Sequence, residues 1–104
     1  MLIIDLTKGK TEVEEFDEPF ARKYIGGVGF GLRLLYDRLV PYADPISSEN
    51  LLICSSGPFS AINFLGSTGI SVVGKSPLTG LIGDSDLRGG FGRTLRSCGY
   101  DVLV

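Results

Sequence analysis

Ser71-Val-Val-Gly-Lys-Ser-Pro-Leu-Thr-Gly80 runs directly into Leu81-Ile-Gly-Asp-Ser-Asp-Leu-Arg-Gly-Gly-Phe-Gly92. The reading of this block decides the fold. β-Branched and aliphatic residues on either side of a Pro-containing turn predict two strands, at about 70–74 and 78–83. The polar residues and paired glycines that follow predict a loop over 83–90. Gly89–Ser97 then reads as a helix. Such a loop presents backbone N–H groups to whatever lies above the sheet, an arrangement suited to anions.

Working outward, Leu2–Leu6 and Thr11–Phe16 read as two strands of a hairpin, the second with one solvated face. Asp17 caps a short helix with Glu18 and Pro19 in its first turn, and Gly26-Gly27 ends it after Ile25. A second helix spans about Val28 to Val40, with Val28, Leu32, Leu35 and Leu39 as one apolar stripe, and Pro41 stops it. Residues 41–50 form a loop by composition, and Leu51–Ser55 a short apolar strand. Gly57–Gly69, with Pro58 and Asn63, is loop-like. Gly99 is the C-cap of the last helix, and Tyr100–Val104 is a closing strand. The order ββααβββαβ predicts an α+β unit: a mixed, sandwich-like β-sheet with two to three short helices, one domain over 1–104. With nothing polar after Val104, the expectation is either a truncated chain or a closing strand at a sheet edge that something else must cover.

The 104-residue length suits one domain that buries roughly two-thirds of its extended surface on folding. A net charge of −2 gives no electrostatic case for nucleic acid or an anionic membrane. No apolar run reaches bilayer-spanning length, and Met1-Leu-Ile-Ile-Asp5 lacks the basic start of a signal peptide. The expectation is a soluble cytoplasmic protein. Cys54 and Cys98 belong to no Cys-x-x-Cys pair, so no iron–sulfur cluster is expected in this chain. There is no histidine, which removes the commonest general base and metal ligand. The fifteen glycines gather at 26–31, 57–92 and 99 without a period, which points to tight turns and close backbone approaches.

Three glycine-bearing stretches invite functional readings. Gly26-Gly-Val-Gly-Phe-Gly31 fails as a dinucleotide loop, because Leu32 stands where glycine or alanine is required and a helix precedes it. Close packing at a helix corner accounts for it better. Gly69-Ile-Ser-Val-Val-Gly-Lys-Ser76 satisfies the phosphate-loop pattern literally. Its interior nevertheless prefers strand, and Pro77 blocks the helix a phosphate loop requires. Gly83–Gly90 is the strongest candidate. Asp84 and Asp86 are two carboxylates without a third ligand, and the competing reading is a solvated turn capped by Asp86.

Several of these segments together resemble a known family. Ile4-Asp-Leu-Thr-Lys-Gly-Lys10, Tyr24-Ile-Gly-Gly-Val-Gly-Phe-Gly31, Asp44–Ile53, Gly57-Pro58, the block 71–92 and Cys98-Gly-Tyr-Asp-Val-Leu-Val104 follow one another as in the N-terminal domain of the tungsten-containing aldehyde:ferredoxin oxidoreductases. The chain is similar to the first half of that cofactor-base domain over nearly its whole length. The resemblance implies a protein that cradles a tungsten–bis-pterin cofactor. In the full-length family, aldehyde is oxidised to carboxylic acid, and electrons pass through a [4Fe–4S] cluster to ferredoxin. It also implies cofactor-binding roles at Asp86, Arg88 and Gly89. Asp86 stands at an asparagine position of the family, Arg88 and Gly89 at glycine positions, and Gly69 where an arginine is usual. No catalytic residue or direct metal ligand is assigned here, and the chain alone is not expected to turn over. Its expected partners are the missing family domains or a second copy of itself, an isologous homodimer joined through the closing strand and the 83–90 face. A stand-alone binding or assembly module and a phosphate-loop nucleotide binder are the alternatives.

Overall fold

A computed structural model of the chain describes every residue except Asn63, one of the residues on which the 57–69 loop reading drew. Nine elements follow in the expected order: β1 (Leu2–Asp5), β2 (Lys10–Val13), α1 (Glu18–Tyr24), α2 (Val28–Arg38), β3 (Leu52–Ser56), β4 (Ile70–Lys75), β5 (Ile82–Leu87), α3 (Phe91–Ser97) and β6 (Val102–Leu103). The strands form one six-stranded mixed sheet in the order β2-β1-β6-β3-β4-β5. β1 and β6 are parallel, and the other neighbours are antiparallel.

Helices cover both faces. Val73 and Ile70 lie three residues apart on β4 and therefore point to opposite sides. Gly31 of α2 packs on Val73, whereas Gly92 of α3 packs on Ile70. The main core lies on the α2 side, where Phe30, Leu34, Leu35, Ile53, Val73 and Val102 are all buried. Phe16, Phe20 and Phe30 interlock at its edge with ring centroids 5.0–5.7 Å apart.

The helix ends follow their sequence signals. Asp17 accepts the Phe20 N–H at 2.9 Å and caps α1. After α3, Gly99 takes φ +89 and its N–H reaches the Arg96 carbonyl, while the Tyr100 N–H reaches that of Leu95. That pair of bonds makes Cys98 the C-cap, with Gly99 the left-handed residue one step beyond it.

Four expectations are corrected. The strand expected at 78–83 runs from Ile82 to Leu87. Ser76–Leu81 form the turn, closed by Ser76 N–H to the Leu81 carbonyl and Gly80 N–H to that of Ser76, both 2.8 Å. Leu78 and Leu81 look strand-like but are exposed turn residues. The stretch 83–90 is consequently strand for most of its length rather than loop. Asp86 caps nothing: α3 starts after Gly90, without a side-chain cap. The buried face of α2 carries Phe30, Gly31, Leu34 and Leu35, so the predicted stripe is rotated and only Leu35 is a fully buried member of it. Finally, the closing strand is not an edge. β6 sits between β1 and β3, with Val102 fully buried, because its short apolar run pairs on both sides. The homodimer expectation loses its edge-strand premise.

Two outcomes are expected from this architecture. A Cβ on Gly31 would lie 2.5 Å from Val73 Cγ2. Gly31→Ala should therefore cost about 1–2 kcal/mol net, even after the helix propensity alanine regains. In that background Val73→Ala should cost less than it does alone, measured by urea titration of both singles and the double. Arg38 bonds Glu14 and holds its carboxyl below the ordinary range. An acid depressed in this way stabilises above its unfolded value, about 4.3, and the contribution is lost as pH falls through the lower folded value. Stability should thus drop below about pH 4.5, and Glu14→Gln should flatten that limb in urea titrations across this range.

Candidate functional site

The glycines that shape the fold also open a cavity at one end of the sheet. The start of β4, the end of β5, the entry to α2 and the loop after β3 border an open cavity of about 510 Å³. This size suits one small organic ligand. Three glycines keep it open or closely walled. Gly27 enters with φ +55, and its N–H donates to the Ser56 carbonyl at 2.9 Å. A Cβ there would stand 3.3 Å from Ser71 Oγ. At Gly69 a Cβ would come 3.0 Å from the Leu87 carbonyl oxygen, so no side chain enters there without backbone movement. Gly92, in the first turn of α3, lets that helix close on the carbonyls of Thr68 and Gly69, which would lie 3.0 and 2.7 Å from a Cβ.

The polar chemistry comes from β4, β5 and the residue after it. Ser71 and Asp86 are directly paired across the β4–β5 ladder, and the Ser71 hydroxyl donates to Asp86 Oδ1 at 2.8 Å. Arg88 follows β5 and lines the same cavity. Arg22, Arg33, Arg38 and Arg96 are all engaged by carboxylates. Arg88 is exposed and makes no ion pair among the described residues. The lining thus carries one guanidinium, Arg88, and one carboxylate, Asp86, and its capacity to hold an anion rests on Arg88 alone.

Of the three residues singled out from the sequence, the structure brings Asp86 and Arg88 to this cavity. Gly89 does not line it. It takes φ +135 between β5 and α3, with open space where a side chain would be, so its part is to turn the chain. Sequence reasoning missed Gly27, Pro58, Phe59 and the 66–68 backbone as lining. The clustered glycines at 57, 66 and 69 were the available signal, but they carry no periodicity that marks a site.

The phosphate-loop string is a strand. Gly69 and Lys75 lie near opposite ends of β4, about 20 Å apart at the usual strand rise, so they cannot wrap one phosphate. Lys75 Nζ donates to the Ala43 carbonyl at 2.6 Å, far from the cavity. Neither cysteine is part of a cluster: Cys54 is in β3, with its thiol pushed up by burial, and Cys98 is exposed at the end of α3. No group of three or more His, Cys, Asp or Glu able to hold a metal occurs among the described residues. None of the described helices is long and apolar enough to cross a membrane.

Comparison with known proteins gives a consistent answer. Residues 1–104 match the family model for the aldehyde ferredoxin oxidoreductase N-terminal domain. A tungsten-containing aldehyde ferredoxin oxidoreductase of Pyrococcus furiosus is 40% identical over 101 residues, covering 97% of this chain and 17% of that protein. The WOR-like subunit of an aliphatic sulfonate oxidoreductase, also from Pyrococcus furiosus, is 32% identical over 107 residues, again 17% of its length. Among solved structures, the active-site complex BamBC of benzoyl coenzyme A reductase, with 1,5-dienoyl-CoA, superposes with a TM-score of 0.93 at 35% identity. It covers 98% of this chain and 16% of the matched one. The chain thus spans about a sixth of the length of the proteins it matches.

Because Gly69–Ser76 is strand followed by a proline turn, calorimetric titration with ATP or GTP and magnesium should give no saturable heat. Tight binding abolished by Lys75→Ala would overturn the strand reading of this segment's chemistry.

Proposed function

The chain belongs to the family of aldehyde ferredoxin oxidoreductase N-terminal domains, and we propose that it forms one side of the cradle for a tungsten–pterin cofactor in a longer oxidoreductase. The observation that carries this reading is the cavity beside β4 and β5 with Arg88, which makes no ion pair among the described residues, on its rim. Its volume, its glycine walls and its one cationic side chain fit a flat, phosphate-bearing group. With no metal-holding cluster among the described residues, the metal would be carried by the cofactor rather than by this chain.

Each residue then has a role in binding. Arg88 would take the anionic part of the cofactor through a charge-assisted bond. Gly27 and Gly69 would let the cavity walls close tightly on Ser71 and on the Leu87 carbonyl, where a Cβ would meet protein atoms. Ser71 would fix the orientation of the Asp86 carboxylate. The cofactor supplies the redox chemistry when bound, and this domain binds and orients it.

The parent activity we favour is oxidation of an aldehyde to a carboxylic acid with ferredoxin as electron acceptor, in a cytoplasmic setting. Relatives named for aldehydes, for sulfonates and for a benzoyl-CoA reductase share this same domain. That supports a division of labour in which substrate choice lies in the rest of the longer polypeptide. The exposed apolar side chains of the 57–69 loop that do not line the cavity, Ile62, Phe64 and Leu65, suit burial against such further domains.

The test is binding of 6-hydroxymethylpterin phosphate to the chain by calorimetry. Saturable binding is expected, with Arg88→Gln weakening it about tenfold, the worth of one charge-assisted contact. Absence of saturable heat, or indifference to Arg88→Gln, would remove the basis for the cradle. Iron analysis of the purified chain should find no stoichiometric iron.

A further inference from the structure

Phe59 lines the same cavity as Arg88, yet the core makes no use of it. Its side chain is 60% exposed, and its one aromatic neighbour among the described residues is Phe64, with centroids 6.1 Å apart. An exposed phenylalanine on a loop ordinarily needs no explanation. Here the turn that carries it is built with unusual care. Ser60, the next residue, is fully buried. Its hydroxyl accepts the Gly57 N–H at 3.1 Å, and its own N–H returns to the Gly57 carbonyl at 3.1 Å. The Ile62 N–H closes back onto the Phe59 carbonyl at 3.1 Å. Pro58 fixes the backbone just before the ring. Phe59 is therefore held at the cavity wall by a buried polar anchor, rather than left there by a loose loop.

We infer that Phe59 is a ligand-binding residue, the apolar platform on which the flat ring of the ligand stacks while Arg88 holds its phosphate. The inference rests on the cradle reading of this cavity. The two residues would divide recognition between them. An aromatic face attracts a heteroaromatic ring without reading its edges, and a guanidinium attracts a phosphate without reading the ring. A ligand that has both parts gains from both, and a ligand that has one gains from one.

The chain contains no tryptophan, so Phe59→Trp introduces a single indole, which excitation to the red of tyrosine absorption separates from the four tyrosines. The probes are inorganic phosphate, 6-hydroxymethylpterin and 6-hydroxymethylpterin phosphate. Quenching of the introduced indole's emission by both pterins in excess of that of Leu78→Trp, a control indole in the exposed turn at the far end of β4 and β5, and no quenching by inorganic phosphate, is the expected signature of stacking. In calorimetry, Phe59→Leu should weaken both pterins about tenfold, the worth of one stacked ring, and leave inorganic phosphate unchanged. Arg88→Gln should show the complementary pattern, weakening phosphate and the phosphate ester but not the bare pterin. If the phosphate ester binds with Arg88 dependence while Phe59→Leu changes nothing and the reporter stays bright, the platform is wrong and the cradle stands. If the wild-type chain binds neither pterin, the cradle reading falls and this inference falls with it.

Discussion

The approach of α2 to the sheet is the contact on which the rest of the molecule depends. Gly31 has no side chain, so the helix backbone comes down onto Val73, which is fully buried together with Ile53 and Val102. Burying a valine or isoleucine contributes about 1.5–3 kcal/mol relative to leaving it in water. Seating α2 in this way also fixes where its first turn points. The chain reverses between α1 and α2 through three residues with positive φ: Ile25 at 67°, Gly26 at 142° and Gly27 at 55°. A β-branched residue in that region costs on the order of 1–3 kcal/mol. The packing of Phe20 from α1 against Phe30 from α2, with Tyr24 stacked behind Phe20, helps to offset it. The result is that Gly27 is delivered to the rim of the cavity by packing that never touches a ligand.

The two ends of β4 have different work. At its far end Asn50 ties the chain together, donating to the Pro45 and Lys75 carbonyls and accepting the Lys75 and Leu51 N–H groups. Those bonds leave little freedom for chemistry. At the near end, Gly69, Ile70 and Ser71 meet the first turns of α2 and α3 and the end of β5. Elements distant in sequence converge there without a side chain from 27, 69 or 92 to fill the space. A site emerges where backbone comes together and bulk is withheld, which is why a residue count of catalytic types would pass over it.

The order of elements was legible because caps, prolines and apolar runs are local signals: Asp17 before α1, Pro41 after α2, Gly99 after α3. The helix corner at 24–31 was legible for the same reason, and a Cβ on Gly29 would strike the Tyr24 carbonyl. The offset of β5 was not. Leu78 and Leu81 supply apolar character inside a turn, and only the bonds between Ser76, Gly80 and Leu81 reveal that the strand starts later. The central place of β6 was hidden as well, since it depends on parallel pairing with β1, at the opposite end of the chain. Phe59 was missed because an exposed aromatic on an aperiodic loop gives no signal until Ser60 is seen buried beneath it. Asp86 and Arg88 were found through resemblance. The meeting of Asp86 with Ser71 follows from a register that composition does not encode.

The true edges of the sheet bear on how this domain associates. β5 is one edge, and antiparallel pairing with a second copy centred on Ser85 would set Asp84 against Asp86 twice over. Like charges directly opposed across strands are destabilising. β2, the other edge, carries Lys10 and Glu12 on a fully exposed strand. Charged residues on edge strands are the usual defence against strand addition. The apolar β6, by contrast, lies inside, with both neighbours already paired. What the molecule leaves uncovered is therefore side-chain surface rather than strand edge: Leu52 on the sheet and Phe64 and Leu65 on the loop beside the cavity. A surface of that kind is buried by a packed face and gains nothing from an added strand. Association through such faces would leave the Arg88 rim and the Phe59 wall bordered by protein, turning an open cavity at the end of a sheet into an enclosed one.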